Sequence, residues 1–576
     1  MSASAQPGAP RSSVFWKEVD EHALLSAALV ASSVGDAATR RNIVPQSYRT
    51  LELDRAALKN VLAAAPAEFS GPIEKVNVEV SVPLPDGTFG RFNVQESPVM
   101  EPKLAAKFPE IKTYVGQGIE DPTATIRMDV TPAGFHAVIF SPAGQVFVDP
   151  YWRDSDLTYV SYRKSDFVAD KPFSCLVDSP LLEEQALSAD TPLERPTGAA
   201  LRLYRLALAC TGEYATAVSS PSPPTVSRAL AAIITSANRV SAVYERELSI
   251  RFLLVADNDK LIYLNGATDP YTNADGVAML SQNQTTIDSV VGVANYDFGH
   301  VFSTGGGGVA QLRVPCGSDK ARGVTGLPNP TGDPYDIDFV AHEMGHQFGG
   351  NHTFNSTVGN CGGGNRVSTT AYEVGSGTTI MAYAGICGAT NLADHSDDYF
   401  HTANYTEIDN FTSNASTGGS CPATVATGNQ PPVIAALLAY TIPSNTPFAL
   451  TGSATDADGD IITYDWEEFD LGMAQTSANP SSTSTNPLFR SYSPTVSPTR
   501  FFPSLTYILN NANIPPALDA LGFATGEVLP NPNKSRTMTF RLTARDNRAG
   551  GGGSNWAQTT VTVEKTGAAF LVISPD

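Results

Sequence analysis

Positive charge is scarce in this 576-residue sequence: 37 Lys and Arg stand against 58 Asp and Glu, a formal net charge of −21. That balance excludes nucleic acid and anionic membrane as expected partners, because both are bound by setting Lys and Arg against phosphate. Charged residues of either sign make up only 16% of the chain. The 42% apolar content, with many Ser, Thr, Asn and Gly, fits a globular extracellular protein. No apolar run is long enough to cross a bilayer. The first residues, Met1-Ser-Ala-Ser-Ala-Gln-Pro7, carry neither the basic stretch nor the apolar core of a secretory signal. Six cysteines are too few for a disulfide-dense scaffold. The length exceeds what one core supports, and three domains are expected.

Against this background one segment stands out: His342-Glu343-Met344-Gly345-His346-Gln347-Phe348-Gly349-Gly350-Asn351-His352, the pattern H-E-x-x-H-x-x-G-x-x-H. His342 and His346 are four apart, so on a helix they share one face and can hold one metal ion. Glu343 lies beside that face, poorly placed to ligate the same ion but able to reach water next to it. Gly349 permits the left-handed turn that ends the helix and brings His352 round as a third ligand. Three protein ligands leave one zinc position open, as in catalytic rather than structural sites. Asp333-Pro334 reads as a cap with proline at the first helical position. Ile337, Ala341, Met344 and Phe348 supply an apolar stripe for the core.

Downstream, Thr379-Ile380-Met381-Ala382-Tyr383 resembles the methionine-containing turn beneath the zinc of metzincin peptidases. With the histidine pattern, the chain resembles metzincin zinc endopeptidases, nearest the secreted bacterial reprolysin-like group. The resemblance implies His342, His346 and His352 as zinc ligands, Glu343 as general base and Met381 as the floor of the site. Venom-type reprolysins carry Asp and Pro where this chain has Thr353 and Tyr383. Met-x-Tyr is similar to astacins and serralysins, which makes Tyr383 a candidate to stabilise an oxyanion. The resemblance also pairs Cys361 with Cys387 and Cys316 with Cys421, and such bridges imply an oxidising compartment. Cys175 and Cys210 are left over. A Cys175 thiolate capping the zinc, as a cysteine switch, and a Cys175–Cys210 disulfide are both open, with the switch narrowly preferred.

The expected architecture is multidomain: a β-rich prodomain, an α/β metzincin catalytic domain whose mixed twisted sheet carries the active-site helix, and a C-terminal all-β sandwich of immunoglobulin or cadherin type. Residues 1–197 are the prodomain and activation linker, with strand alternation at Lys75–Val82 and a hairpin joining Phe135–Phe140 to Gly144–Asp149. The acid-rich stretch Leu181–Arg195 reads as the maturation site. Residues 198–425 are the catalytic domain. Within it, Leu201–Ala209 and Ile250–Val255 read as strands, and Ser227–Leu248, Thr285–Val293 and Asp397–Phe411 as helices. The run Gly305–Gly308 before Val309-Ala310-Gln311-Leu312 reads either as a flexible loop or as the entry to an edge strand that pairs with substrate. It lacks the Lys-Ser/Thr of a phosphate loop. Residues 429–565 form the sandwich, similar to polycystic-kidney-type and cadherin-like modules, and 566–576 resemble the start of another. Asp456, Asp458 and Asp460 mark a turn whose carboxylates could hold Ca²⁺.

The resemblance implies a secreted zinc endopeptidase, monomeric and made as a latent precursor, that acts on protein substrates through a zinc-activated water. The signal peptide is expected to lie outside this sequence. One alternative is a secreted adhesin with a relic metzincin domain, although a relic has no reason to keep Glu343. Another takes Glu373 as third ligand in place of His352. His22, His136, His300, His395 and His401 lack ligand spacing and read as structural or surface residues.

Overall fold

The computed structural model describes residues 13–22, 24, 41, 43–153, 155–167, 175–177, 195–482 and 485–566. The stretches read as a maturation linker and as the start of a further module fall, but for Arg195 and Thr566, outside them.

Alternating apolar residues before residue 167 build an antiparallel sheet. Its strands lie in the order Trp16–Glu18, Arg49–Leu53, Ser155–Arg163, Val146–Trp152, Gly134–Phe140, Thr125–Thr131, Lys112–Gly118, Phe89–Glu96 and Glu79–Pro83. The expected hairpin is present, with Gly134–Phe140 pairing antiparallel to Val146–Trp152. One face packs Leu51, Val80, Phe92 and Met128 with Leu58 and Leu62 of the helix Arg55–Leu62. The opposite face is not open to solvent. Val138, Phe140, Phe147 and Tyr162 share one core with Leu230, Ile233 and Tyr244 of the helix Val226–Leu248. Strands buried on both faces need partners for their polar residues, and Arg127 meets Glu245 while Asp129 accepts from Thr235 Oγ1 at 3.1 Å.

The central unit is α/β. Parallel strands Ile250–Leu254, Ala200–Cys210, Phe298–Ser303 and Gly323–Gly326 lie side by side, and Gly308–Ala310 adds antiparallel to the last. Ala423–Ala426 pairs antiparallel with the start of Ala200–Cys210. The helix Val226–Leu248 begins where Thr225 Oγ1 accepts from the Arg228 N–H and stops at left-handed Ser249. The second helix runs Gly276–Val290, nine residues earlier at its start than Thr285. Asp275 caps it by accepting from Ala278 N–H, a signal hidden by the glycine at its first position. The helix expected to begin at Asp397 spans Thr402–Thr412, because His401 Nδ1 caps it there.

In the C-terminal unit, Tyr440–Pro443, Ser554–Glu564, Arg536–Arg545 and Thr463–Glu468 form one sheet, and Phe448–Thr451 pairs with Thr499–Phe502 in another. Leu450, Trp466, Phe489, Phe502, Phe540 and Val561 fill the space between them. Among the described residues no helix is long and apolar enough to cross a membrane.

The units meet through buried charge as well as apolar area. Arg239 binds Asp149 at 2.5 Å and Asp336 at 3.0 Å, and Lys164 lies 3.0 Å from Asp333 and 2.8 Å from Asp338. Arg545 of the C-terminal sheet bonds Glu247 at 2.9 Å.

Candidate active site

The histidine segment is helical but is not the plain α-helix its cap suggests. Tyr335–Ala341 is π-helical and runs directly into the α-helix His342–Gln347. Asp333 still accepts from the Ile337 N–H at 3.2 Å, and the wider turn carries Asp336 to Arg239 and Asp338 to Lys164. The stripe Ile337, Ala341, Met344 and Phe348 is fully buried. Gly349, at φ +101°, ends the helix in the left-handed region and turns the chain toward His352.

The three imidazoles converge. His346 Nε2 lies 3.1 Å from His342 Nε2 and 3.0 Å from His352 Nε2, and the remaining separation is 3.3 Å. Each ring donates its other nitrogen to a backbone carbonyl: His342 Nδ1 to Ile380 O, His346 Nδ1 to Gly350 O and His352 Nδ1 to Asn365 O, all at 2.7 Å. With Nδ1 carrying the proton, three lone pairs face one another. Burial depresses all three pKa values, that of His342 to about 4, so protonation does not relieve the repulsion. Such a trio is stable around a cation. Nitrogens held 2.0–2.1 Å from a tetrahedral zinc sit roughly 3.3 Å apart, which this donor set fits.

Cys175 lies at the fourth corner, its Sγ 3.6 Å from His346 Nε2 and 3.8 Å from His352 Nε2. A thiolate 2.3 Å from the same zinc would lie roughly 3.6 Å from each nitrogen. The four side chains form one buried cluster of ligand atoms. Cys175 arrives on the strand Cys175–Val177, which pairs parallel with Gly308–Ala310. The glycine run Gly305–Gly308 thus leads into a short strand ending at Ala310, whose outer edge is taken by this chain's own segment. Cys210 is buried without a disulfide, at the end of Ala200–Cys210. Disulfides join Cys316 to Cys421 and Cys361 to Cys387.

Glu343 is fully buried, and among the described residues its carboxylate faces no polar partner but the Cys175 thiol. Burial raises its pKa to about 8, against a smaller opposing effect from the Cys175 thiol. In turn burial, and then the Glu343 charge, raise the thiol's pKa. Met381 Sδ fills the hollow left by the missing side chain of Gly345, where a Cβ would come within 2.3 Å of it. Tyr383 meets the ring of His352 edge-on, centroids 4.6 Å apart, and its hydroxyl donates to the Cys175 carbonyl at 3.3 Å.

Other residues hold these in place, and most carry no sequence signal because they act through backbone atoms. Glu407 accepts from both the Asn351 N–H and its Nδ2, fixing the residue before His352. Glu373 is far from a ligand role: it accepts from Thr353 Oγ1, Thr379 Oγ1 and the Thr378 N–H, clamping the chain after His352 to the approach to Met381. Of the remaining histidines, His300 lies between Gln347 and Thr325, and His136 meets Asp129. His395 joins Asp338 to the Phe167 carbonyl.

Asp456, Asp458 and Asp460 cluster, but Arg548 already stands 3.0 Å from Asp460, and Asp456 accepts from the N–H groups of Asp458 and Asp460. This geometry admits a calcium ion without requiring one.

Residues 200–411 match the family described as Metallo-peptidase family M12B, reprolysin-like. No curated protein matches the chain.

Proposed function

We propose that the chain is the latent precursor of a secreted zinc endopeptidase. The observation that carries this reading is the convergence of three unprotonated Nε2 atoms beside a buried carboxylate, inside the segment matching a metallopeptidase family. His342, His346 and His352 would hold the metal. Zinc, when bound, supplies a Lewis acid that polarises the scissile carbonyl and acidifies water.

The residues do the rest. Glu343, adjacent to the ligand face and desolvated, takes the proton of the attacking water and returns it to the leaving amine. Tyr383 donates to the Cys175 carbonyl, and a substrate carbonyl in that place would receive the same bond as its oxygen gains charge. Met381 supports the ligands from below. Gly308–Ala310 offers its edge to an extended substrate once Cys175–Val177 has left it.

Latency follows from the same contacts. Cys175 takes the corner that water needs. In this reading residues 1–197 are the prodomain, 198–425 the catalytic domain and 429–565 an immunoglobulin- or cadherin-like sandwich. Two disulfides suit an oxidising, extracellular setting. The test is reversible chelation of the activated enzyme. Proteolysis should vanish with the metal and return with zinc, and His352→Ala should neither bind zinc tightly nor recover. A His352→Ala enzyme with full zinc and full activity would overturn the ligand set.

A further inference from the structure

The ligand His352 is tied to the C-terminal β unit by a short chain of hydrogen bonds. Its Nδ1 donates to the carbonyl of Asn365 at 2.7 Å. The next residue, Arg366, spreads its guanidinium across two acceptors, Nε to Asn355 Oδ1 at 3.0 Å and Nη2 to the carbonyl of Gly472 at 2.8 Å. Asn355 in turn donates Nδ2 to the carbonyl of Met473 at 3.1 Å. Gly472 and Met473 belong to the C-terminal unit, over 100 residues further along. Asn486 fixes both: its Oδ1 accepts from the Met473 N–H at 2.7 Å, and a Cβ on Gly472 would meet that oxygen at 2.2 Å.

A second set of bonds runs beside the first. Gln475 pairs in parallel with Ser356, giving its N–H to the Asn355 carbonyl and accepting from the Thr357 N–H. Its Oε1 accepts from the Gly375 N–H at 2.8 Å. The residues that follow His352 are therefore held by their own unit on one side, through Glu373, and by the C-terminal unit on the other. The loop between Thr357 and Arg366 is held otherwise by the Cys361–Cys387 bridge, by the Asn360 N–H donating to the Ile386 carbonyl at 3.1 Å, and by local turns.

We infer that the C-terminal β unit is part of the metal site, with Arg366 as a positioning residue that holds the Asn365 carbonyl against His352 Nδ1. This rests on the zinc-peptidase reading. The physical reason is that a ligating imidazole needs its second nitrogen fixed. A carbonyl held there sets the tautomer and ring plane and strengthens the ligand, and loss of such a partner commonly costs 10- to 100-fold in metal affinity. The planar fork of Arg366 can serve both acceptors at once, whereas the point charge of a lysine cannot.

The experiment measures zinc affinity of the full chain by competition with a chromogenic chelator, for wild type, Arg366→Ala, Arg366→Lys and Ser493→Ala. Ser493 makes a different contact between the units, donating to Asp397 at 2.9 Å, and controls for looser docking. Cobalt-substituted protein adds a visible spectrum that reports the ligand field. The expected result is roughly tenfold weaker zinc binding and a shifted cobalt spectrum for Arg366→Ala. Partial recovery is expected in Arg366→Lys, and wild-type behaviour in Ser493→Ala. Arg366→Ala with wild-type affinity and spectrum would overturn the inference, as would an equal loss in Ser493→Ala. A wild type that binds no zinc would instead defeat the peptidase reading itself.

Discussion

Lys164 offers the sharpest test of how the N-terminal sheet supports the catalytic helix. It is only 9% exposed, and its ammonium sits between Asp333 and Asp338 at 3.0 and 2.8 Å, held by charge rather than by well-aligned hydrogen bonds. Burial alone would lower its pKa, but the two carboxylates outweigh that and raise it. Lys164→Met removes the cation and shortens the side chain by one heavy atom, so the cavity term stays small beside the charge term. Two carboxylates are then left in the core, with His395 at 2.9 Å from Asp338 as remaining compensation. Breaking a buried pair costs about 3–5 kcal/mol, and the poor alignment and His395 place this case near 3. At about 1.4 kcal/mol per factor of ten, local opening of Tyr335–Ala341 should become roughly 100-fold more frequent. Amide hydrogen exchange in that segment, measured by mass spectrometry, should quicken by that factor while exchange in the C-terminal sheet stays unchanged. Acceleration of less than threefold would show that the N-terminal sheet does not support the helix electrostatically.

Three further outcomes are expected. Cys175→Ala should free the strand Cys175–Val177 from its anchor at the histidines and make the uncleaved chain detectably proteolytic, whereas mass mapping that found a Cys175–Cys210 bridge in the native precursor would refute the switch. Tyr383→Phe should keep its zinc and lose on the order of 10²- to 10³-fold in kcat, about 3 kcal/mol for one oxyanion donor; unchanged kcat would remove Tyr383 from the mechanism. Burial, then Arg541, lower the pKa of His401 to about 3. A histidine depressed in the folded state contributes stability that is present above pH 6.5 and lost as pH falls toward 3, at about 1.4 kcal/mol per pH unit. His401→Asn keeps a helix-capping side chain and should flatten that acid limb in urea titrations; an unaltered slope would refute it.

The sequence made some of this readable and hid the rest for physical reasons. The spacing of His342, His346 and His352 survives translation into structure because helix period and one glycine determine it. Strands with a partly exposed face, such as Glu79–Pro83, showed as alternation, whereas Thr125–Thr131 is buried on both faces and carries no such pattern. The helix at Gly276 was hidden because its cap is an Asp followed by glycine, a pair that also marks turns. The π-helical stretch before His342 has no sequence signature, and its buried Asp336 and Asp338 find their cations, Arg239 and Lys164, about 100 and 170 residues away in the chain. Contacts of that separation, including Cys175 with His346 and Arg366 with Gly472, leave no local pattern. Backbone carbonyl partners such as Ile380 O and Asn365 O leave none at all.

The central claim is that Glu343 moves protons while the three histidines hold the metal. The most direct measurement takes the activated Glu343→Ala enzyme, counts zinc per chain by elemental analysis and follows digestion of a peptide library. The account predicts one zinc per chain and proteolysis reduced by at least about 10²-fold, the usual worth of a positioned general base. Activity within tenfold of wild type, or loss of the zinc together with the activity, would contradict it.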